Sequence, residues 1–263
     1  MNTALDDIAF LANSENRVVV FERLVEGSRE RDDLIDQVDA SRVTIARILR
    51  ELEARDWITH LGHEYSVTPL GEWVYEAFTR LVDEMQAEHR LREAMQWVPT
   101  DLLTFDIQCL QDAELILVDE TDVTALTREI LEFHRSGDRI RGIARESAPV
   151  FIENQWELTV QGDTHVELVI TPEIVETIRD HQPTARRFRE MLDQETAHYF
   201  VCEDIPISVG IVDGTVGINL TDGHGALKGG LKTDNETVHA WAVELFETRR
   251  DQARPVESDA IRV

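Results

Sequence analysis

The N-terminal third of the chain has the residue pattern of three helices followed by a β-hairpin, and this pattern restricts the fold more than any other feature. Apolar residues recur at near-helical spacing over residues 5–25 and 30–38, and a third helix is predicted to begin after Ser41 as its N-cap. Two β-prone runs then flank residues 62–64, where a tight turn is expected. This order predicts an α+β winged helix-turn-helix, in which the third helix enters the major groove of DNA and the hairpin forms the wing.

The third helix is predicted to turn arginines outward. Arg42, Arg47 and Arg50 are free to face away from its apolar side. That apolar side is predicted to comprise Val43, Ile45, Ala46, Ile48, Leu49 and Leu52. Residues 40–50 contain no Asp or Glu, although 52 residues of the chain are acidic. A stretch without carboxylates suits a surface that lies against phosphates, because phosphates repel carboxylates.

Residues on the third helix and on the hairpin are predicted to contact DNA. The start of the helix supplies donors for base edges or phosphates. The hairpin, whose residues 57–63 also lack acidic side chains, is expected to approach the sugar-phosphate backbone. The predicted contacts are Ser41, Arg42, Thr44, Arg47, Arg50, His63 and Tyr65. For each of them the alternative is an ordinary solvated side chain, because the faces are inferred from periodicity alone.

A long helix is predicted after the hairpin, from Pro69 to about Trp97. We expect it to act as a connector or dimer contact, or else to pack on its own domain. The domain boundary is predicted near residues 96–101. The resulting divisions are a DNA-binding domain at 1–96, an α/β sensing domain at 101–253 and a flexible tail at 254–263.

Beyond the boundary, strands alternate with helices, which favours an α/β domain with a largely parallel sheet. The expected strands are 115–118, 140–144 and 166–170. The expected helices are 122–135, 148–159 and two over 172–194, the second of which begins at Pro183-Thr184. Three strands then follow in quick succession, at 199–202, 207–212 and 215–220. Asp213-Gly214 between the last two is a strong hairpin signal, so the whole sheet is expected to be mixed. A last helix is expected from Asn235 to about Gln252.

The chain is strongly acidic, with 26 Lys and Arg against 52 Asp and Glu and a formal net charge of −26. Only two of the cations are lysines, Lys228 and Lys232. This composition is typical of a halophilic protein, because in molar salt the Debye length falls to roughly 3 Å and self-repulsion nearly vanishes. The same screening hides the acidic bulk from DNA, so the net charge does not exclude DNA binding. The alternative is an acidic interaction protein that works at ordinary salinity.

Motifs and composition argue against several other classes. Cys109 and Cys202 lie far apart without CxxC spacing, which indicates reduced thiols and a cytoplasmic location. We expect no signal segment and no membrane span, because the N-terminus is acidic and no apolar run is long enough. The histidines of the C-terminal part lack ligand spacing, so no metal or cofactor is expected. No catalytic motif is present, and the chain is not expected to be an enzyme.

Two acid-poor stretches in the C-terminal part suggest an effector site. They are residues 139–145 and the glycine-rich residues 223–233, which hold both lysines of the chain. Glycine-rich backbone with Lys can bind an anion. The hypothesis is an anionic metabolite bound by Arg141, Arg145, Lys228 and Lys232. The alternative is a flexible glycine loop with incidental charges.

Both halves of the chain resemble known regulators. Residues 34–71, LIDQVDASRVTIARILRELEARDWITHLGHEYSVTPLG, resemble the winged-helix region of archaeal ArsR-like regulators, with Asp56 in place of the usual glycine. The segments RIRGIARESAPVF, VELVITPEIVETI, IPISVGIVDGTVGINLTD and WAVELFE resemble the effector domain of archaeal methanogenesis and filamentation regulators. The resemblance implies a dimeric haloarchaeal transcription factor whose C-terminal domain senses rather than catalyses.

The residues and the resemblance together predict a regulator that binds double-stranded promoter DNA as a homodimer and responds to a small effector. One alternative is an enzyme in which the winged helix is only a protein-interaction module. Another is a structural chromatin protein, which would bind DNA without preference between sequences. The size of the second domain argues against this last alternative, because coating DNA does not require it.

Overall fold

The computed structural model describes residues 3–118, 124–222 and 224–261. The chain consists of two compact units, Met1–Gln86 and Ala87–Val263. The division therefore falls inside the long helix, earlier than the boundary predicted near residues 96–101. The end of this helix belongs to the second unit because Leu91 and Ala94 are buried in the core of that unit.

The first unit contains the predicted order of helices and hairpin. Its helices are α1 (Thr3–Ala12), α2 (Glu15–Val25), α3 (Arg31–Gln37), α4 (Arg42–Glu53) and α5 (Pro69–Met95), the last of which continues into the second unit. Its strands are β1 (Arg29–Glu30), β2 (Ile58–Leu61) and β3 (Glu64–Val67), in the antiparallel order β1-β3-β2. The single helix expected over residues 5–25 is in fact two helices, because Ser14 adopts an extended backbone with φ of −158°. Strand β1 is not among the predicted elements.

The core of the first unit joins the helices to the start of the hairpin. Phe21 and Trp57 stack with ring centroids 5.7 Å apart. Helix α4 contributes the buried residues Ile45, Ile48, Leu49 and Leu52, as predicted. The prediction that Val43 belongs to this apolar side is wrong, because its side chain is 78% exposed. Two residues before Ile45, Val43 lies about 200° around the helix axis and so faces outward.

In the described part of the second unit, five further α-helices combine with one eight-stranded sheet. The helices are α6 (Ala125–Arg135), α7 (Pro149–Trp156), α8 (Pro172–Asp180), α9 (Gln182–Leu192) and α10 (Glu236–Gln252). The strands are β4 (Glu114–Leu117), β5 (Arg139–Ala144), β6 (His165–Ile170), β7 (Ala197–Val201), β8 (Val209–Val212), β9 (Thr215–Thr221), β10 (Leu227–Thr233) and β11 (Arg254–Pro255). The first residues of the helix predicted over 122–135 lie outside the described residues.

The sheet has the order β11-β7-β6-β5-β8-β9-β10-β4 and is mixed, as expected. The expectation that it is largely parallel is wrong. Only β5 with β6 and β6 with β7 pair in parallel, while the other five pairings among the described strands are antiparallel. Short connections explain two of these five, because strands joined directly, such as β8 to β9 at Asp213-Gly214, can pair only antiparallel. The other three, β5 with β8, β4 with β10 and β7 with β11, join strands that are distant in the sequence.

Helices cover the two faces of this sheet. One face packs against α10, where Val238, Trp241 and Phe246 are buried. Helices α7, α8 and α9 contribute Ile152, Ile178 and Phe188 to a second core on the opposite face. The parallel strands lie between these cores, in agreement with the burial of parallel sheets on both sides.

Two segments for which the sequence suggests irregular structure are ordered parts of the sheet. The alternative of a flexible loop at the glycine-rich stretch 223–233 does not hold for residues 227–233, which form β10; Gly223 lies outside the described residues. The prediction of a loose tail from Arg254 is also wrong, because Arg254 and Pro255 pair with β7 and Ile261 is fully buried. Each of these strands has a partner that is remote in the sequence, β4 for β10 and β7 for β11.

Within the described residues, no helix is both long and apolar enough to cross a membrane.

Candidate nucleic-acid interface and ligand cavity

The start of α4 is fixed by its N-cap. The hydroxyl of Ser41 accepts a hydrogen bond from the backbone N–H of Thr44 at 3.2 Å, and the two hydroxyl oxygens lie 2.9 Å apart. This cap confirms the predicted helix start and satisfies one of the free N–H groups of the first turn. It also means that Ser41 and Thr44 have a structural role. Their role in DNA contact stays a prediction.

Three arginines lie on the outer face of α4, and each is exposed. Arg42 has no side-chain hydrogen bond or ion pair to any residue in the described part of the chain. Arg47 lies 3.9 Å from Glu51, at the outer limit of an ion pair, and Arg50 donates from Nε to the carbonyl of Ala46 on its own helix. The first turn of α4 contains no acidic residue. The face thus presents cationic groups with little internal compensation.

Val43 lies on this outer face beside the arginines, although its apolar character placed it among the predicted core residues. An exposed valine at the start of such a helix can contact the methyl group of thymine if the helix lies in a major groove. The signal was present in the helical spacing, because Val43 precedes Arg47 by four residues and Arg50 by seven. Apolar character alone led to its assignment to the core.

The tip of the hairpin is exposed and has a glycine turn. Gly62 adopts φ of 65°, in the left-handed region that favours glycine. His63 beside it is exposed, as is Leu61, whose side chain is 89% exposed and was not among the predicted contacts. Tyr65 is only half-buried, and its ring lies 5.5 Å from that of His60.

The hairpin is connected to α4 through His60, whose Nδ1 lies 2.5 Å from Oε1 of Glu53 at the end of that helix. This short contact positions the first strand of the hairpin relative to the helix. Both elements are therefore held in one unit by side-chain contact as well as by the apolar core.

The four cations predicted to bind an anionic effector do not come together. Arg141 lies on the α10 face of the sheet, with its guanidinium 5.9 Å from the Phe246 ring. Arg145 donates to the carbonyl of Pro206. Lys228 is paired with Asp222 at 3.1 Å, and Lys232 with Glu114 at 2.6 Å. Strands β8 and β9 separate β5, which carries Arg141, from β10, which carries the lysines.

The second unit instead contains a cavity of about 360 Å³ on the face of the sheet opposite α10. Helix α6, the segment that follows β5 and the first turns of α7 enclose it above strands β8, β9 and β10. Of the four predicted effector residues, only Lys232 lines it. Its walls are largely apolar, and its volume falls in the range of small-molecule sites.

Two titratable groups that line the cavity are perturbed by burial. Burial lowers the pKa of His134 to about 4, so this imidazole is neutral, and its Nδ1 has no hydrogen-bond partner among the described residues. Burial also raises the pKa of Glu146. Neither carboxylate oxygen of Glu146 makes a well-aligned hydrogen bond to a described residue, although Ser208 and Asn219 are close enough to offset part of the shift.

No metal centre is found among residues 3–118, 124–222 and 224–261, in which no three His, Cys, Asp or Glu side chains form a group that could hold an ion. Both cysteines are free.

Two family models match the chain. Residues 5–90 match the one described as HVO_A0261 N-terminal domain, and residues 123–252 match the one described as methanogenesis regulatory protein FilR1, middle domain. The second match confirms the resemblance of the C-terminal half to a methanogenesis regulatory protein. The ArsR-like character of the first half stays a prediction. The chain is thus transcription-regulator-like.

The chain is also similar to several solved structures. One is TrmBL2, described as an archaeal chromatin protein with a novel mode of DNA binding, at 13% identity and a TM-score of 0.43 over 95% of this chain and 99% of that one. Another is Nuc, a phospholipase D family member from Salmonella typhimurium, at 16% identity and a TM-score of 0.44 over 56% of this chain and 99% of that one. TM-scores of this size do not establish a shared fold. No curated protein matches the chain significantly.

Proposed function

We propose that the chain is a sequence-specific, DNA-binding transcriptional regulator. Its first unit acts as a winged helix-turn-helix, and its second unit binds a small effector rather than catalysing a reaction. The observation that carries this proposal is the outer face of α4, where Arg42, Arg47 and Arg50 are exposed and the first turn has no carboxylate. The match of residues 123–252 to a domain of a regulatory protein supports it.

In the proposed complex, α4 lies in the major groove. Arg42 and Arg47 reach base edges or phosphates, and Val43 contacts a thymine methyl group. Leu61 and His63 at the hairpin tip approach the sugar-phosphate backbone. Ser41 and Thr44 set the position of the helix start, and their hydroxyls are within reach of the same phosphates.

Fluorescence anisotropy of the full chain in molar KCl tests this function. Duplexes that cover the upstream region of its own gene are compared with shuffled duplexes of equal length. We expect at least about a tenfold preference for one native duplex, within the span typical of specific binders. Equal affinity for all duplexes would instead indicate a chromatin-type coating protein. Absence of any binding would contradict both readings.

We further propose that the regulator is a homodimer formed through α5. Four large apolar side chains on the first-unit part of this helix are exposed: Leu70, Trp73, Leu81 and Met85. Trp73, at 66% exposure, is an unusual surface residue for a monomer. Light scattering of the wild type and of Trp73→Ser/Met85→Ser tests this, with a monomeric double variant as the expected result. A monomeric wild type would exclude the dimer.

We also propose that the protein works in the salt-rich cytoplasm of a halophilic archaeon. The net charge of −26 and the presence of only two lysines support this. Thermal unfolding at 0.2 M and 2 M KCl tests it. The melting temperature is expected to rise with salt, because the self-repulsion of the acidic surface is screened. A melting temperature that falls with salt would exclude it.

A further inference from the structure

The cavity of the second unit has a floor that is built from unusually small residues. Gly142, Gly210 and Gly217 are register partners on β5, β8 and β9, so they form a row across the sheet. A side chain at Gly217 would meet the Phe133 ring of α6 at 2.7 Å. Gly210, where an added Cβ would lie 3.4 Å from the same ring, and Gly217 therefore let α6 approach the sheet closely, and both line the cavity. A Cβ at Gly142 would instead meet the backbone of Val209 on the neighbouring strand.

The next row across the sheet brings the polar groups to the cavity. Gly230 of β10 is the register partner of Asn219, and the backbone N–H of Asn219 bonds to the carbonyl of Ser208. Ser208 and Asn219 thus stand side by side on the floor, next to Glu146, which follows β5. This polar corner faces walls that are mostly apolar and include the rings of Phe133 and Phe151.

The titratable group of this corner is the carboxyl of Glu146, whose pKa is raised by burial. Glu146 has its two carboxylate oxygens buried, and its nearest cation is Arg145, with Nε 3.9 Å away. That guanidinium also bonds to the carbonyl of Pro206, so its compensation of Glu146 is incomplete. His134 is neutral, and Lys232 is already paired with Glu114. Ser208, Asn219 and this one guanidinium offset only part of the effect of burial on the Glu146 carboxyl. A buried carboxylate with incomplete compensation is costly, and a cationic ligand group would reduce that cost.

We propose that this cavity binds a small molecule with an apolar body and a protonated amine, with the amine paired to the carboxylate of Glu146. The hydroxyl of Ser208 and the side chain of Asn219 orient the carboxylate and offer the ammonium further acceptors. The rings of Phe133 and Phe151 suit both parts of the ligand, because aromatic faces contact apolar groups and also attract cations. This ligand class differs from the anionic metabolite that the sequence suggested. Its role as an effector rests on the proposed function, whereas the binding itself does not.

Isothermal titration with the full chain in molar KCl tests the proposal. The probes are 2-phenylethylamine, 2-phenylethanol and phenylacetate, which share an apolar body and differ in the charge of the end group. An aliphatic set of hexylamine, hexanol and hexanoate complements them. We expect each amine to bind on the order of 10- to 100-fold more tightly than its neutral counterpart, the range of a charge-assisted hydrogen bond, and the carboxylates to bind most weakly.

Glu146→Gln is the decisive variant, and Glu173→Gln is its matched control. Glu173 is an exposed carboxylate of the same unit that does not line the cavity. Glu146→Gln should lower amine affinity to that of the neutral counterpart and leave the affinity for the alcohols unchanged, whereas Glu173→Gln should change neither. If Glu146→Gln does not fold, the order of wild-type affinities for the amine, the alcohol and the carboxylate still tests the proposal.

The proposal is overturned if neither amine binds, if the alcohols or carboxylates bind as tightly as the amines, or if both Gln variants behave alike. DNA binding is measured separately, on the same preparations. If the amines bind but DNA does not, the proposed regulator function is refuted and the proposed ligand site is supported. If DNA binds but the amines do not, the ligand site is refuted and the regulator function is supported. Release or tightening of DNA by the amine would connect the two.

Discussion

Helix α4 and strand β10 have the same kind of sequence signal, but their cationic side chains differ in how they are paired. Both come from stretches rich in cations and free of carboxylates, residues 40–50 and 227–233. On α4, Arg42 lacks a partner among the described residues and Arg47 is only loosely paired. On β10, Lys228 and Lys232 are both paired with carboxylates. A lack of acidic residues nearby in the sequence therefore does not by itself produce a free cationic surface.

The difference follows from the geometry of the two elements. On a helix, the neighbours of an outward side chain are residues three and four positions away on the same helix, so a local sequence window describes its surroundings. In a sheet, the closest neighbours lie on adjacent strands. Lys232 is the register partner of Glu114, which is more than a hundred residues earlier in the chain. The sequence window around Lys232 could not contain its partner.

Two double variants with equal changes in charge test this comparison most strongly. Arg42→Ala/Arg47→Ala and Lys228→Ala/Lys232→Ala each remove two positive charges. We expect the arginine pair to weaken duplex binding about 100-fold, because each arginine supplies a contact worth about 1–3 kcal/mol, and the lysine pair to change it less than about twofold. Anisotropy titrations in molar KCl measure both. Equal losses in the two variants would show that bulk charge, and not the face of α4, controls binding.

The second unit also buries a titratable group, and this predicts a pH dependence. Burial holds the pKa of His134 at about 4 in the folded chain, below its ordinary value of 6.5. The unfolded chain therefore binds the extra proton first as pH falls. The contribution of the neutral His134 to the free energy of unfolding is therefore complete above about pH 6.5 and is lost as pH falls from 6.5 to 4. Between pH 7 and 5 we expect the free energy of unfolding to fall by about 2 kcal/mol.

Urea unfolding of the wild type and of His134→Gln in molar KCl checks this prediction. The two proteins share all their other titrating groups, so the difference between their stability-pH curves isolates the histidine. The wild-type curve should be steeper between pH 5 and 7. Parallel curves would show that the imidazole is accessible to protons in the folded chain.

Much of the fold was predictable where the signal is local. The N-cap of α4 at Ser41, the turn at Gly62 and the hairpin at Asp213 are encoded within a few residues, and all three are present as predicted. Strand β10 was not predictable in this way, because its glycines read as a loop. Its structure depends on β9 and β4, against which Gly229 must fit with only 2.7 Å between an added Cβ and the carbonyl of Ile116.

The candidate interface and the cavity differ in the same respect. The face of α4 follows from a helical period of one short segment, and only Val43 was misassigned there. The cavity combines α6, the segment after β5 and three strands, so no local pattern identifies Glu146 as part of a site. The one available hint was glycine inside predicted strands, as at Gly210 and Gly217, which often marks close approach of a neighbouring group.

Among the residues that the structure describes, each unit has one aspartate with a left-handed backbone, and the one in the second unit is predicted to be structural. Asp213 has φ of 53°, and its carboxylate accepts hydrogen bonds from the backbone N–H of Arg139 at 3.1 Å and of Asp138 at 3.4 Å. Asp213→Gly should relieve the backbone but lose these bonds. We expect a net destabilisation of about 1 kcal/mol by urea unfolding. Asp213→Asn, which keeps one acceptor, should lose less, and a stabilised glycine variant would contradict the assigned role.

The same substitution in the first unit should have the smaller and opposite effect. Asp56 has φ of 57° between α4 and β2, and its side chain is exposed. Its backbone carbonyl accepts from the Thr68 hydroxyl, a bond that glycine would keep. Asp56→Gly should therefore stabilise the folded chain by removing the cost of the left-handed conformation. The greater conformational freedom of glycine in the unfolded chain opposes this gain. We expect a gain of about 0.5 kcal/mol, measured by hydrogen exchange of the α4 amides. A loss would mean that the Asp56 carboxylate stabilises this turn, and the two aspartates would then not differ in the way the hydrogen bonds indicate.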